Sequence, residues 1–186
     1  MSSALRQRFA MLVLLIAPLH AQSNLPRINE GGVVNAGDYT SVLSPGMHMS
    51  VFGVHLAGAT KVAETAPLPT VLDGVSVEVL QEGQLVRAPL VFVSAGQINA
   101  QLPYEALGPE VRVRVRTPAG VSNEVSVPVQ PCAPRLLTKT MDGRGEAILL
   151  HASSYRLVSE DAPALLGETV LLYLVGLGAV TPPVAA

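Results

Sequence analysis

The chain has 186 residues, with 12 Lys and Arg against 14 Asp and Glu, and a formal charge of −2. Only 14% of residues are charged and 49% are apolar, which excludes a long disordered tail and a basic nucleic-acid platform. Sixteen Gly and fifteen Pro, about one residue in six, oppose long helices, and a single Cys excludes a disulfide-stapled scaffold and any Cys-based zinc site.

Residues 1–21 read as a secretory signal peptide. Arg6 and Arg8 precede an apolar run from Phe9 to Leu19, and Ala21 is the small residue before the expected cut. The run is too short to span a bilayer, which needs roughly 20 apolar residues. Cleavage removes two Arg and no acid, so the charge moves from −2 to −4, and the exported chain gains nothing from counterion release on nucleic acid. Residues 22–29 are expected to form a linker. Cys132 has no pairing partner, and a small filler beside Pro131 is its plainer role.

From residue 30 the pattern is that of strands and turns. Val75, Val77 and Val79 alternate with Ser76 and Glu78; Val111, Val113 and Val115 alternate with Arg112, Arg114 and Arg116; Val125, Val127 and Val129 follow the same period. Period-2 alternation predicts strands with one face on a core and the other in water. Turn residues punctuate the runs at Ser44-Pro45-Gly46, Asp73-Gly74, Glu82-Gly83, Ala95-Gly96, Pro118-Ala119-Gly120 and Asp142-Gly143. Short strands at this spacing predict an all-β, immunoglobulin-like sandwich over residues 30–130.

An internal echo extends the reading. Gly46 to Ala57 aligns without gaps to Gly167 to Gly178, with an aromatic at Phe52 and Tyr173 and a Leu at Leu56 and Leu177. One supersecondary unit therefore occurs twice. Only residues 179–186 follow the second copy, so residues 131–186 are expected to form an incomplete second immunoglobulin-like unit.

Several motifs in order carry a resemblance. They are Gly31-Gly32-Val33-Val34-Asn35-Ala36, Leu43-Ser44-Pro45-Gly46, Pro67-Leu68-Pro69-Thr70, Gly74-Val75-Ser76-Val77, Ser94 to Tyr104, Thr117-Pro118-Ala119-Gly120 and Gly176 to Pro183. Over about residues 30–184 the chain resembles the Solibacter-type C-terminal domain of secreted acidobacterial proteins, itself similar to IPT/TIG immunoglobulin-like domains. The resemblance implies a tandem immunoglobulin-like fold and an extracellular setting, and it carries no catalytic residues.

Candidate sites are sparse. Gln97, Asn99 and Gln101 share one strand face near Tyr104, an amide row able to bind sugar hydroxyls; a polar outer face bonded to backbone is the plainer reading. Arg112, Arg114 and Arg116 form a basic ladder able to hold an acidic polysaccharide, or else a solvated face balanced by Glu78, Glu82 or Glu124. His48, His55 and His151 lack the nucleophile and acid spacing of hydrolases and the spacing of metal sites. Asp142 to Glu146 has a faint calcium-loop look that a tight turn explains better. The apolar run Val170 to Val175, with Val170, Leu172, Tyr173 and Leu174 as its contact residues, is expected to pack on the first unit or to recruit a strand from another chain.

The sequence thus predicts a non-catalytic exported module for adhesion, spacing or assembly in the periplasm, outside the cell or at its surface. It needs no cofactor or metal, and its partner is a protein or a surface polysaccharide. No nucleic-acid partner and no membrane span after signal cleavage are expected. A carbohydrate-binding module and a truncated fragment without function are the alternatives.

Overall fold

The computed structural model describes residues 24–181; the expected signal peptide lies outside the described residues. The strands are β1 (Arg27–Asn35), β2 (His48–Val54), β3 (Lys61–Val62), β4 (Ser76–Gln81), β5 (Gln84–Ala88), β6 (Leu90–Val93), β7 (Gln97–Gln101), β8 (Glu110–Thr117), β9 (Gly120–Val121) and β10 (Val125–Pro128). Beyond them lie β11 (Arg135–Leu136), β12 (Leu149–His151), β13 (Val170–Leu172) and β14 (Leu174–Val175). No helix occurs among the described residues, and hence none long and apolar enough to cross a membrane.

One sheet has the order β1-β2-β7-β6-β3, and the second has the order β10-β8-β4-β5 with β9 on β8. Every strand pair is antiparallel. The two sheets face each other across a single apolar core. Val33, Val51, Ile98 and Val93 lie side by side across the first sheet, and Val77, Val79, Val113 and Val115 answer from the second. The expected valine alternation is therefore what fills the interior. The turns follow from glycine: Asp73-Gly74 and Glu82-Gly83 each place two successive residues at positive φ, as the two-residue hairpin turn matching strand twist requires.

Four details differ from expectation. The stretch expected as a linker already belongs to the fold from Arg27 onward, because Ile28 is buried and its backbone N–H and C=O are both bonded by the Asn123 carboxamide. Ser76 and Glu78, expected in water, are buried, since β4 is an interior strand overlaid by arginine side chains from β8. Cys132 is exposed rather than a filler. The run Val170 to Val175 is broken at Tyr173, because its first half pairs with β12 and its second half with β11.

That pairing discloses a longer repeat than the sequence echo. In the first copy Arg27 and Ile28 oppose Val54 and Gly53, while Val33, Val34 and Asn35 oppose Val51, Ser50 and Met49. In the second, Arg135 and Leu136 oppose Val175 and Leu174, while Leu149, Leu150 and His151 oppose Leu172, Leu171 and Val170. Thus β11 and β12 together occupy the place of β1, with residues 137–148 inserted where β1 carries a bulge at residues 29–32. The turn that follows is also duplicated. Tyr39 and Tyr155 both have positive φ, and their N–H groups donate to Asn35 O and His151 O. Gly46 and Gly167 match in backbone sign, as do His55 and Gly176.

Candidate functional site

The amide row lies on β7, on the face of the first sheet turned away from the core. There Val34, Ser50, Asn99 and Phe92 are direct neighbours across β1, β2, β7 and β6. Asn99 Oδ1 accepts from Ser50 Oγ at 3.1 Å and from Gln97 Nε2 at 2.8 Å. At the other end of the strand, Gln101 Nε2 donates to Gly46 O at 2.8 Å, with the Tyr104 hydroxyl 3.5 Å away. The Tyr104 ring crowds Gly46, where a Cβ would sit 2.2 Å from Cε1, so glycine is required there for close approach as well as for its φ of 75°. The four residues divide into two pairs. Asn99, braced by Gln97, ties β7 to β2, whereas Gln101 holds the turn before β2 and Tyr104 lines a cleft of about 200 Å³ shared with residues 174–178.

The arginine ladder is an ion-pair network around one buried acid. Arg114 Nε and Arg116 Nε each donate to Glu78 at 2.6 Å, and Arg112 and Arg114 share Glu124 at 2.8 and 3.1 Å. Glu82, weighed as a balancing acid, takes no part among the described ion pairs. The Glu78 side chain is 2% exposed. Burial pushes its carboxyl up, but hydrogen bonds from Arg116 and Arg114 outweigh that and hold it below its ordinary value. The ladder is thus engaged by the chain's own acids rather than presented to a polyanion.

Among the described residues, the run from Val170 to Val175 touches the first unit at its C-terminal end. Val175 packs against the main core, Met47 Cε of the first unit lies 2.6 Å from where a Cβ on Gly176 would sit, and Arg135 Nε, opposite Val175, donates to Asp38 at 2.6 Å. Its N-terminal half is uncovered. Met49, Val51 and Leu56 in the first copy are 0% exposed, whereas their counterparts Val170, Leu172 and Leu177 are 37%, 47% and 69% exposed. Tyr173 is exposed as well, and Leu174 is half-buried.

Two polar clusters escaped the sequence reading. One is Asn35 with Asp38 and Thr40 at the first duplicated turn. The other is His151 with Glu168 at the second, where Nδ1 lies 2.5 Å from Glu168 Oε1. The shared Pro-Arg-Ile/Leu and Ala-x-x-Tyr segments at residues 26–39 and 134–155 were the available signal. Among the described residues, no group of three or more His, Cys, Asp or Glu is placed to hold a metal ion.

No family model matches the chain, and no curated protein does. Among solved structures it is similar to the gamma-CGTase from alkalophilic Bacillus clarkii, with 14% identity and a TM-score of 0.40 over 86% of this chain. The chain spans about a fifth of that enzyme's length, 22%.

Proposed function

We propose that this chain is an exported, non-catalytic immunoglobulin-like module that works by assembly, spacing or adhesion at the cell surface, in keeping with its resemblance to the Solibacter-type and IPT/TIG domains. The observation that carries the reading is the contrast between the two copies of one unit. In the first copy the inner face of β2 is sealed by a facing sheet; in the second, the same face presents Val170, Leu172 and Leu177 to solvent. Fully covering a side chain of that size is worth about 1.5–3 kcal/mol. A protein partner with an apolar sheet face is therefore the chemistry this surface favours.

The amide row supports the sugar-binding alternative less well. Gln97 and Gln101 spend donors on Asn99 and Gly46, and Asn99 Oδ1 already has two donors. Sedimentation velocity of the purified protein tests the choice. Concentration-dependent association that Leu172→Glu abolishes is expected. A monomer at every concentration that instead binds glycans, and stops binding them on Asn99→Ala, would replace this function with the carbohydrate-binding one.

A further inference from the structure

We propose that His151 is a proton-operated clamp, ordering residues 152–168 while its imidazole is charged and releasing them when it becomes neutral. The geometry is that of an imidazolium. Nδ1 faces Glu168 Oε1 at 2.5 Å and Nε2 faces the Ala162 carbonyl oxygen at 3.1 Å, so both ring nitrogens point at acceptors. A neutral imidazole has a single N–H and would turn a lone pair towards one of these oxygens. The ring is 12% exposed and lies at the wall of an open cavity, so its protons can exchange with solvent.

The clamp joins three pieces of chain: the end of β12, the turn at residues 159–162, and the approach to β13. Backbone bonds hold parts of the segment, from Ala152 N–H to Thr169 O, from Val158 N–H to Leu149 O and between Ser159 and Ala162, and the ring adds the side-chain tie among the three pieces. Residues 153–157 and 163–167 are exposed, and a cavity of about 710 Å³ lies along it. The first copy supplies an internal comparison. At the same register position stands Asn35, whose carboxamide accepts from Gly37 and Asp38 N–H and donates to Asp38 and Thr40. A carboxamide does not titrate in this range; His151 does.

The charges around the ring set the direction. Glu168, on the approach to β13, hydrogen-bonds His151 and raises its pKa above the ordinary 6.5, while Arg156 from the return segment opposes this. Glu160 and Asp161, on the turn that carries Ala162, are exposed. Glu168 is itself held below its ordinary 4.5 by the Leu165 N–H and by His151. A raised histidine contributes stability below its unfolded value and loses it as pH rises through the folded one; the lowered Glu168 contributes above its unfolded value and loses it as pH falls through its own. The clamp is thus closed from below 4.5 to above 6.5 and opens on the alkaline side.

Amide exchange, corrected for intrinsic rates, at about pH 5.5 and about pH 8.5 tests this, the two conditions lying either side of the ordinary histidine value. In the wild type, residues 152–168 should lose protection at the higher pH while β1 to β10 keep theirs. In His151→Asn, which installs the first copy's residue, that pH dependence should vanish. In Glu168→Gln, the imidazole NMR titration should move to lower pH. Equal protection at both pH values in the wild type would overturn the proposal, as would the same loss persisting in His151→Asn. If His151→Asn does not fold, an unchanged imidazole midpoint in Glu168→Gln overturns it.

Discussion

Gly176→Ala should unseat the second copy of the repeated unit from the first. Gly176 has a φ of 86°, and a Cβ there would lie 2.2 Å from the Ala133 carbonyl oxygen and 2.6 Å from Met47 Cε. The left-handed backbone costs a non-glycine residue roughly 1–2 kcal/mol, and overpacking against fixed atoms adds about 1–3. A loss of about 2–5 kcal/mol follows, located at the bond from Ala133 N to Gly176 O and in the β11–β14 pairing. The counterpart in the first copy is His55, which adopts the same backbone sign with a side chain. Glycine is therefore required here by the close approach of Ala133 and of Met47 from the first unit, and not by the turn alone. Thermal unfolding should show an early transition involving residues 131–181, with the first sandwich melting near its wild-type temperature. Gly58→Ala is the control: no atom lies within 4 Å of its added Cβ, and it should change stability by less than about 0.5 kcal/mol. A Gly176→Ala protein as stable as this control would show that Ala133 and Met47 do not confine the position.

Glu78→Ala should cost the first sandwich about 3 kcal/mol, the lower end of what removing one partner from a buried ion pair takes. The lower end applies because Arg114 keeps Glu124 and Arg116, 45% exposed, can turn to water. The effect carries a pH signature. Since its arginines hold Glu78 below the ordinary 4.5, its contribution is present above that value and is lost as pH falls through the lowered folded value. Urea midpoints measured against pH should fall in acid for the wild type and fall less steeply for Glu78→Ala, the two curves converging at the lowest pH. Parallel curves would mean that Glu78 does not ionise against Arg114 and Arg116 as the geometry implies.

Much of the first sandwich was legible from residue order because its signals are local. Valines two apart select one face of a pleated strand, and Asp73-Gly74 and Glu82-Gly83 select their hairpins without help from distant parts of the chain. The outer face of β4 was not legible in that way. Ser76 and Glu78 have the pattern of a wetted face, and only the placement of Arg114 and Arg116 on the neighbouring strand covers them. The amide row was found at the right face, yet its division into two structural pairs depends on Ser50 and Gly46, each about fifty positions away.

The duplication shows the same divide. Similarity of Gly46–Ala57 to Gly167–Gly178 is a matter of letters along one strand. The correspondence of β1 with β11 and β12 is a matter of which residues stand opposite, and the insertion at residues 137–148 hides it from any ungapped comparison. Residue order alone decided that this chain is strands and turns, because side-chain period and glycine conformation are properties of a few neighbouring residues. Which faces are sealed, which acid is buried and which histidine is clamped were decided by three-dimensional packing, because burial depends on what the rest of the chain lays on top.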